Sequence, residues 1–456
     1  MSLSNVESQA TEDIERQQSR ARRVRNLTNR FRVLIIGRAN AGKTTILQRV
    51  CNTTEQPKIF SPEGHEVMWI YTPYSILLKV WQRGEHDIEN EMIFESNKAF
   101  VFHDSRGFEA GRTSELDKVK EFLQKRSTNK ELKDHLHVIW YCIPINDEAR
   151  PFTRAELNFF DEYGTGRVPV IVLFTKADML DAQTIKHLVD TGMDVEDAAN
   201  KAPEESVAMF EKRFGQQLYK KKYHPKDYVY FRDMQNPTSD CTELLRKTAA
   251  TFSDDTLLQL FLTVQQNNVA LSIEYAIIRV VFPDWKLFKE KREWRKMVEK
   301  ILNYFPHMVW WDDAADDFFA DLLADDDDQV TRACLGFEQR RRSMVWVLNG
   351  MIRNDEITAK DVLDHTDWSL IHNTKSFKDI AFLCIVTAII AEHSFFLWKQ
   401  NPSKSTAPFK SAIQKFNLSA DMAKINTAIE EASHMKTKEQ KKQALVKIAM
   451  DNRLPL

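Results

Sequence analysis

The sequence predicts an α/β fold with a mostly parallel sheet, followed by an all-helical C-terminal region. Three observations support this prediction: short apolar runs alternate with helical patterns over the first half of the chain, strand patterns stop after Thr242, and glycine is scarce. The 12 glycines in 456 residues disfavour a turn-rich all-β fold, since glycine usually makes up about 7% of a chain. Alternating strands and helices form βαβ units, whose parallel sheets bind ligands at the carboxyl ends of the strands.

Short apolar segments in the first half have the composition of buried strands. Parallel strands that are covered on both faces read as continuous runs of β-branched and aromatic residues, without polar alternation. The predicted strands are Arg32–Ile36, Ala99–Phe102, Val138–Ile143, Val168–Phe174 and Asp227–Phe231.

In the second half, apolar residues recur with a period near 3.6, which predicts helices. The predicted helical segments are Thr256–Val281, Lys286–Tyr304, Gln329–Met351, Lys375–Trp398 and Met422–Asn452. Within one of them, the uninterrupted apolar run Ile380–Ile390 is shorter than the roughly 18 residues that a membrane span needs. We therefore expect a buried helix there, with a membrane segment as the alternative.

Composition excludes several classes of protein. With 43% apolar and 29% charged residues, the chain is neither disordered nor an integral membrane protein. The 64 basic and 66 acidic side chains give a net charge of −2, so no overall field attracts nucleic acid, and we expect none to bind. The five cysteines are far apart and form no CxxC pair, which predicts neither a disulfide framework nor a zinc site.

Two segments are distinguished by their charge. Residues 1–30 are polar and rich in arginine, without the apolar core of a secretory signal, so we expect a basic, solvated extension and a cytoplasmic protein. Contact of this extension with phospholipid or RNA is the alternative. Nine aspartates lie between Asp312 and Asp328 without any glycine, which favours a solvated acidic loop over a calcium-binding EF-hand loop or a partner-binding surface.

The sequence GRANAGKT at residues 37–44 matches the phosphate-binding pattern GxxxxGK[ST], directly after a predicted strand and before a helical pattern. Gly37 and Gly42 permit a concave loop whose N–H groups converge on phosphate. Lys43 is expected to reach the β- and γ-phosphates, and the Thr44 hydroxyl to ligate Mg²⁺. The residues of this segment predicted to contact the nucleotide are Gly37, Asn40, Ala41, Gly42, Lys43, Thr44 and Thr45.

A second candidate motif follows the strand Ala99–Phe102. Asp104 and Gly107 fit the pattern DxxG, which places a carboxylate at a strand end beside the phosphate loop, where it can hold Mg²⁺ through a water. Gly107 allows its own backbone N–H to approach the γ-phosphate. The candidate catalytic residues are thus Lys43, Thr44 and Gly107. The candidate metal ligands are Thr44 and Asp104.

A third motif follows the strand Val168–Phe174. Thr175, Lys176 and Asp178 fit the pattern [NT]KxD, in which the Asp carboxylate accepts from the N1–H and 2-amino groups of guanine, a donor pair that adenine lacks. The Lys176 stem would lie along the base. Three motifs in this order favour GTP over ATP.

On these three motifs, residues 31–245 resemble the G domain of the translation-factor-related (TRAFAC) class of P-loop GTPases. The phosphate loop is similar to that of the Era-like and TrmE-like branch, where the loop Asn helps to bind K⁺; Asn40 occupies that position. The sequence HDSRGF at residues 103–108 is similar to that of many G-domain proteins of fungi. A looser resemblance to septins and immunity-associated GTPases rests on an appended helical region.

The resemblance implies a P-loop NTPase G domain at residues 31–245, after the basic extension at 1–30. The apolar period near 3.6 predicts a helical domain at 246–456. It also implies GTP or GDP and Mg²⁺ as ligands, with K⁺ as a further one unless Asn40 only forms bonds within its loop. Phe108 stands where Ras-like domains have the water-orienting Gln, and an apolar side chain forms no hydrogen bond to the attacking water. We therefore expect a slow GTPase switch whose helical half binds a protein partner or another copy; the alternatives are a non-hydrolysing GTP-binding scaffold and an ATP-dependent enzyme.

Overall fold

The computed structural model of the chain describes residues 30–67, 87–105, 113–128, 134–146, 151–162, 164–265, 268–284, 300–305, 377–401, 408, 411–412, 415–416, 418 and 422–455. Two compact units divide the chain between Asn267 and Asn268. We name them the sheet unit, which contains the described residues up to 265, and the helical unit, which contains those from 268 onward. The functional boundary near residue 245 stays a prediction.

The described strands of the sheet unit form one seven-stranded sheet. Their bounds are β1 Phe31–Gly37, β2 Lys58–Phe60, β3 Glu91–Phe94, β4 Asn97–Asp104, β5 Val138–Pro144, β6 Val170–Thr175 and β7 Asp227–Tyr230. The strand order in the sheet is β2-β3-β4-β1-β5-β6-β7. Strands β4, β1, β5, β6 and β7 are parallel, and β2 and β3 add an antiparallel edge. The predicted mostly parallel α/β sheet is confirmed.

All five strands predicted from apolar runs are present, with ends that differ by at most two residues. The antiparallel strands β2 and β3 were not predicted. They contain only three and four residues, and so short a segment carries neither a continuous apolar run nor a measurable alternation.

Helices cover both faces of the sheet. One face packs on the helices Thr113–Thr128 and Arg154–Glu162 and includes Leu34, Ile139 and Val172. The other face carries Phe31, whose ring contacts Phe252 and Phe261. This division follows from the two-residue period of a strand. The helices of the unit are α1 Lys43–Val50, α2 Thr113–Thr128, α3 Arg154–Glu162, α4 Asp181–Asp190, α5 Val195–Phe210, α6 Gln216–Tyr219, α7 Thr242–Ala250 and α8 Asp255–Val264, with a 3-10 turn at Ala177–Leu180 and a π-helical turn at Glu211–Gly215.

In the helical unit the described elements are all helices. They are α9 Ala270–Asp284, α10 Phe377–Gln400, α11 Met422–Ser433 and α12 Lys438–Asp451. The predicted helical C-terminal region is therefore confirmed.

Two predicted helices were wrong in their continuity. The segment Met422–Asn452 is two helices, because Thr437 accepts from the Gln440 N–H while the Gln440 side chain accepts from the Thr437 N–H, and this capping box starts a new helix. The segment Thr256–Val281 also divides, because the backbone is extended at Gln265, where α8 ends. Apolar periodicity continues across both breaks, so it does not reveal them.

Helix α10 is the most apolar element of the helical unit. Its segment Ile380–Gln400 has the length and composition to cross a membrane, yet 88% of its most apolar window is buried inside the fold. Glu392 is 3% exposed. Its Oε2 accepts from Nε of Arg453 at 2.7 Å, and its Oε1 lies 2.7 Å from Nη2 of Arg453 in the same ion pair. Burial raises the pKa of Glu392 and the Arg453 charge opposes that rise. The predicted burial of Ile380–Ile390 is confirmed.

Several predicted features lie outside the described residues. They are the basic extension, the acidic run Asp312–Asp328, the helix Gln329–Met351 and the greater part of Lys286–Tyr304, of which residues 300–302 are helical.

Candidate nucleotide site

The predicted motifs follow strands whose carboxyl ends meet at one edge of the sheet. Ile35 in β1 is paired with Asp104 at the end of β4, and Gly37 is paired with Cys142 in β5. In β6, Thr175 is paired with Pro144. Because these strands are parallel, the structure brings the phosphate loop, Asp104 and the loop after β6 to the same edge.

Two glycines set the conformation of the phosphate loop. Gly37 has a φ of 146°, and a Cβ at this position would lie 2.2 Å from the Cys142 carbonyl oxygen, so only glycine fits. Gly42 has a φ of 81° and precedes α1 without any side-chain cap. The first N–H groups of α1 therefore remain directed at the loop, which is the arrangement that binds an anion at a helix N-terminus.

Asn40 also adopts a left-handed conformation, with a φ of 58°, and is exposed. Asn tolerates this region better than other residues with a Cβ. Its side chain therefore stands at the outer surface of the loop, where it is accessible to an ion.

Lys43 arches over the loop. Its Nζ donates to the carbonyls of Gly37 at 3.4 Å and Arg38 at 3.3 Å and lies 3.9 Å from Oδ1 of Asp104. Both charged side chains are largely buried, at 11% and 12% exposure. A cation held between two loop carbonyls and a carboxylate is well placed to exchange these contacts for phosphate oxygens.

Thr44 and Asp104 are the predicted metal ligands. Thr44 lies in the first turn of α1 and is half-buried, and Asp104 ends β4. A hydroxyl and a carboxylate suit Mg²⁺, which usually takes one or two protein ligands and completes its shell with phosphate and water. Among the described residues, no three His, Cys, Asp or Glu side chains converge on one point, so these oxygens fit an ion shared with a phosphate chain.

His103 precedes Asp104 but faces the interior. It is fully buried, and its Nδ1 lies 3.0 Å from the Ile88 carbonyl oxygen and its Nε2 3.2 Å from Nη1 of Arg32. Burial, assisted by the Arg32 charge, lowers the pKa of His103 to about 3. The imidazole is therefore neutral at physiological pH and fixes the end of β4.

A buried ion pair anchors the first half of the phosphate loop. Arg38 donates to Glu156 Oε1 at 2.8 Å and Oε2 at 2.6 Å, and to the Pro151 carbonyl at 2.6 Å. Glu156 is fully buried and also accepts from the Thr153 N–H at 2.7 Å. This contact was not predicted, although the spacing of Thr153 and Glu156 matches a capping box that starts α3.

Three buried cysteines surround α1. Cys51 follows its last residue, Cys241 donates to the Ile46 carbonyl at 3.8 Å, and Cys142 lies beside Gly37. Burial raises the pKa of Cys142 and of Cys241 to about 12. These groups are neutral thiols that pack behind the loop, since a reactive cysteine needs a lowered pKa.

The third motif forms a tight turn after β6. Lys176 has a φ of 58°, the Ala177 N–H donates to the Phe231 carbonyl at 3.0 Å, and Ala177 is fully buried. This turn leaves Asp178 half-buried, and its Oδ1 accepts from the Asp233 N–H at 3.2 Å. The structure thus places Asp178 against the loop that follows β7.

The loop after β7 is closed by its own bonds. Asp233 has a φ of 47°, and its carbonyl accepts from Asn236 N at 2.7 Å and Ser239 Oγ at 2.8 Å. Arg49 of α1 makes longer contacts, of 3.4 Å to the carbonyls of both Met234 and Pro237. The sequence contains no recognisable motif here, because the acceptors of these bonds are backbone carbonyls.

Two candidate residues, Gly107 and Phe108, lie outside the described residues. Their roles stay predictions.

The strand order, the antiparallel edge and the glycine-built loop between β1 and α1 give the α/β P-loop NTPase fold, which confirms the predicted fold class. No protein-family model matches the sequence, and neither does any curated protein.

Solved structures provide the remaining comparisons. A GDP-bound mutant of the S. thermophilus FeoB G domain is 11% identical with a TM-score of 0.25, over 78% of this chain and 98% of that chain. A bacterial dynamin pair, described as an oligomer that senses and tethers membranes at long range, is 12% identical with a TM-score of 0.26, over 98% of this chain and 72% of that chain.

Proposed function

We propose that the chain is a GTP-binding protein and a slow, Mg²⁺-dependent GTPase that acts as a molecular switch. The observation that carries this proposal is the placement of Lys43 and Asp178 at one edge of the sheet. The Lys43 Nζ lies 3.4 Å from the carbonyl oxygen of Gly37 at the end of β1, Asp178 lies in the turn after β6, and β5 stands between these two strands. Strands two positions apart are separated by about 10 Å. A nucleotide laid across the end of β5 can therefore meet both side chains.

The base end favours guanine by its chemistry. Asp178 offers carboxylate oxygens, which accept hydrogen bonds only, and guanine presents its N1–H and 2-amino donors to such a group. Adenine has no donor at N1. Thr175 and Lys176 belong to the turn that holds Asp178, and Lys176 would cover one face of the base with its stem.

The phosphate end supplies positioning and positive charge. The loop amides of Ala41 to Thr45 and the Lys43 ammonium would bind the β- and γ-phosphates. Thr44 and Asp104 would hold Mg²⁺, which neutralises charge that develops between the phosphates in such reactions. Phe108 follows DxxG and gives no hydrogen bond to the attacking water, so hydrolysis is expected to be slow without a partner.

Asn40 would contribute a carbonyl oxygen to K⁺ at the rim of the loop. Its exposed position and left-handed backbone support this role. The helical unit would respond to the nucleotide and bind a protein partner or a second copy, since it is a separate compact unit of the chain.

The test is competition for a fluorescent GDP analogue by GTP and by ATP, with turnover measured in Mg²⁺ plus K⁺ or Na⁺. Strong preference for GTP with slow turnover supports the proposal. Tight binding without turnover in either salt would instead favour the non-hydrolysing scaffold, and equal competition by ATP would overturn the assignment of guanine.

A further inference from the structure

Arg232 joins three segments next to the proposed base site. It follows β7, and its Nη1 donates to both carboxylate oxygens of Asp181 at 2.6 Å. Its Nη2 donates to the Pro203 carbonyl at 2.7 Å and to Ser206 Oγ at 2.6 Å. Ser206 in turn donates to Asp181 at 2.9 Å. We call Arg232, Asp181 and Ser206 the arginine clamp.

The clamp has the features of a fixed contact. Arg232 and Asp181 have only 22% and 24% of their side chains exposed, and Ser206 is 2% exposed. An Arg–carboxylate pair with short bonds and additional partners is among the stronger polar contacts in proteins. Asp181 is also the first residue of α4, where the helix dipole favours a negative charge.

The clamp is one of three links between the loop after β6 and the loop after β7. The Ala177 N–H donates to the Phe231 carbonyl at 3.0 Å, and the Asp233 N–H donates to Asp178 at 3.2 Å. The bond of Arg232 to Asp181 is the third. Because Asp181 is three residues beyond Asp178 and Arg232 directly precedes Asp233, the clamp holds the carboxylate and the neighbouring loop in a fixed relation.

The loop after β7 also contains a backbone hydrogen-bond donor close to Asp233. The Met234 N–H meets no acceptor within the part of the chain that the structure describes, and Met234 is half-buried. An acceptor group at Asp178 beside a backbone donor is complementary to guanine, which has donors at N1 and N2 and an acceptor at O6. Adenine has an amino donor at the O6 position and would oppose the N–H.

We propose that Arg232, through Asp181 and Ser206, is a positioning residue that sets guanine specificity by fixing the loop after β7 against Asp178. This inference rests on the proposed GTP binding. The clamp touches no phosphate-loop residue in these contacts, so it acts on the base end alone.

The experiment compares the full-length wild-type chain with Arg232→Met, Arg232→Lys and Asp181→Asn. Each is measured for its affinity toward GDP, ADP and pyrophosphate, the last as a ligand of the phosphate loop only. Arg213→Met is the matched control, because Arg213 is exposed and lies over the Phe214 ring at 4.8 Å. It removes the same charge from an exposed position.

We expect Arg232→Met to lower GDP affinity roughly 10- to 100-fold, the effect of losing hydrogen bonds to a charged group, and to reduce the preference for GDP over ADP. Pyrophosphate affinity should stay within about twofold of wild type, and Arg213→Met should resemble wild type. Arg232→Lys should be intermediate, because a single ammonium nitrogen replaces the two guanidinium nitrogens that donate in the clamp. Asp181→Asn keeps the shape of the side chain but removes its charge, and it should lower GDP affinity and the preference for GDP over ADP as Arg232→Met does.

A variant that retains the wild-type GDP-to-ADP ratio would overturn the role of the clamp while leaving GTP binding intact. A parallel fall in pyrophosphate affinity would overturn it as well, since the effect would then be general stability. A wild-type chain that does not distinguish GDP from ADP would overturn the proposed function itself, together with this inference.

Discussion

The phosphate end and the base end of the candidate site are built by different means. At the phosphate end the geometry depends on backbone conformation: Gly37 and Gly42 take conformations that side chains disfavour, and the groups that we propose to contact the ligand are N–H groups and Lys43. At the base end it depends on side chains from distant segments, where Arg232 connects Asp181 with Ser206. Substitutions should therefore act through sterics at one end and through charge and hydrogen bonds at the other.

The largest effect is expected for Lys43→Ala. The cation bridges two loop carbonyls and Asp104, and its loss should lower GTP affinity by about a thousandfold, because the triphosphate loses its nearest positive charge. Isothermal titration in Mg²⁺ measures the change. Lys58→Ala is the control, since Lys58 is exposed and pairs with Glu95. Affinity within about tenfold of wild type would show that this loop does not bind the triphosphate.

The next largest effect is the difference in the free energy of unfolding between the variants Gly37→Ala and Gly42→Ala. A Cβ on Gly37 would collide with the backbone of Cys142, whereas a Cβ on Gly42 would meet open space. We expect Gly37→Ala to lower the free energy of unfolding by about 3 kcal/mol or more and Gly42→Ala by about 1 kcal/mol, the strain of a left-handed residue. Urea unfolding without nucleotide tests this, and equal losses would contradict a loop fixed against β5.

At the base end, Asp178→Asn should reduce GTP affinity by roughly a hundredfold, because one of two acceptors becomes a donor. Binding of xanthine nucleotides, which carry an oxygen in place of the 2-amino group, should improve in the same variant. Competition assays with both nucleotides measure this exchange, with the exposed Asp190→Asn as control. If GTP affinity is unchanged, Asp178 does not read the base.

The smallest effect concerns Asn40. We expect GTP turnover to be faster in K⁺ than in Na⁺ at equal ionic strength, because a monovalent cation at this rim would stand where an arginine finger acts in related reactions. Asn40→Ala should lower the stimulation by K⁺ about tenfold. Steady-state phosphate release gives both rates. Equal rates in the two salts, or stimulation that survives the substitution, would limit Asn40 to its conformational role in the loop.

The same contrast explains what the sequence could predict. The phosphate loop, Asp104 and Asp178 were recognisable because each lies at the end of its strand or within a few residues of it, and parallel topology then brings them to one edge. The sequence did not reveal the ion pairs of Arg38 with Glu156 and of Arg232 with Asp181, since 118 and 51 positions separate the partners. A local pattern does not encode which distant carboxylate an arginine will meet.

Strand prediction shows a similar limit. Buried parallel strands such as β5 and β6 are uniformly apolar and were found, whereas the antiparallel β2 and β3 are too short to show a period. In the helical unit, the capping residue Thr437 divides what the apolar period presents as one helix. Side-chain contacts and caps, rather than hydrophobic pattern, decide such boundaries.

The bond between Arg38 and Glu156 also has a consequence for the order of events on the ribosome. Its partners are 118 positions apart, and Gly37 packs against Cys142 of β5, so the phosphate loop has no finished support when it is first synthesised. At translation rates of about 5 to 20 residues per second, roughly 6 to 24 s pass between the synthesis of Arg38 and that of Glu156. During this interval the nascent loop lacks Glu156, and for most of it Cys142 as well. We therefore expect nucleotide to bind only after α3 has left the exit tunnel.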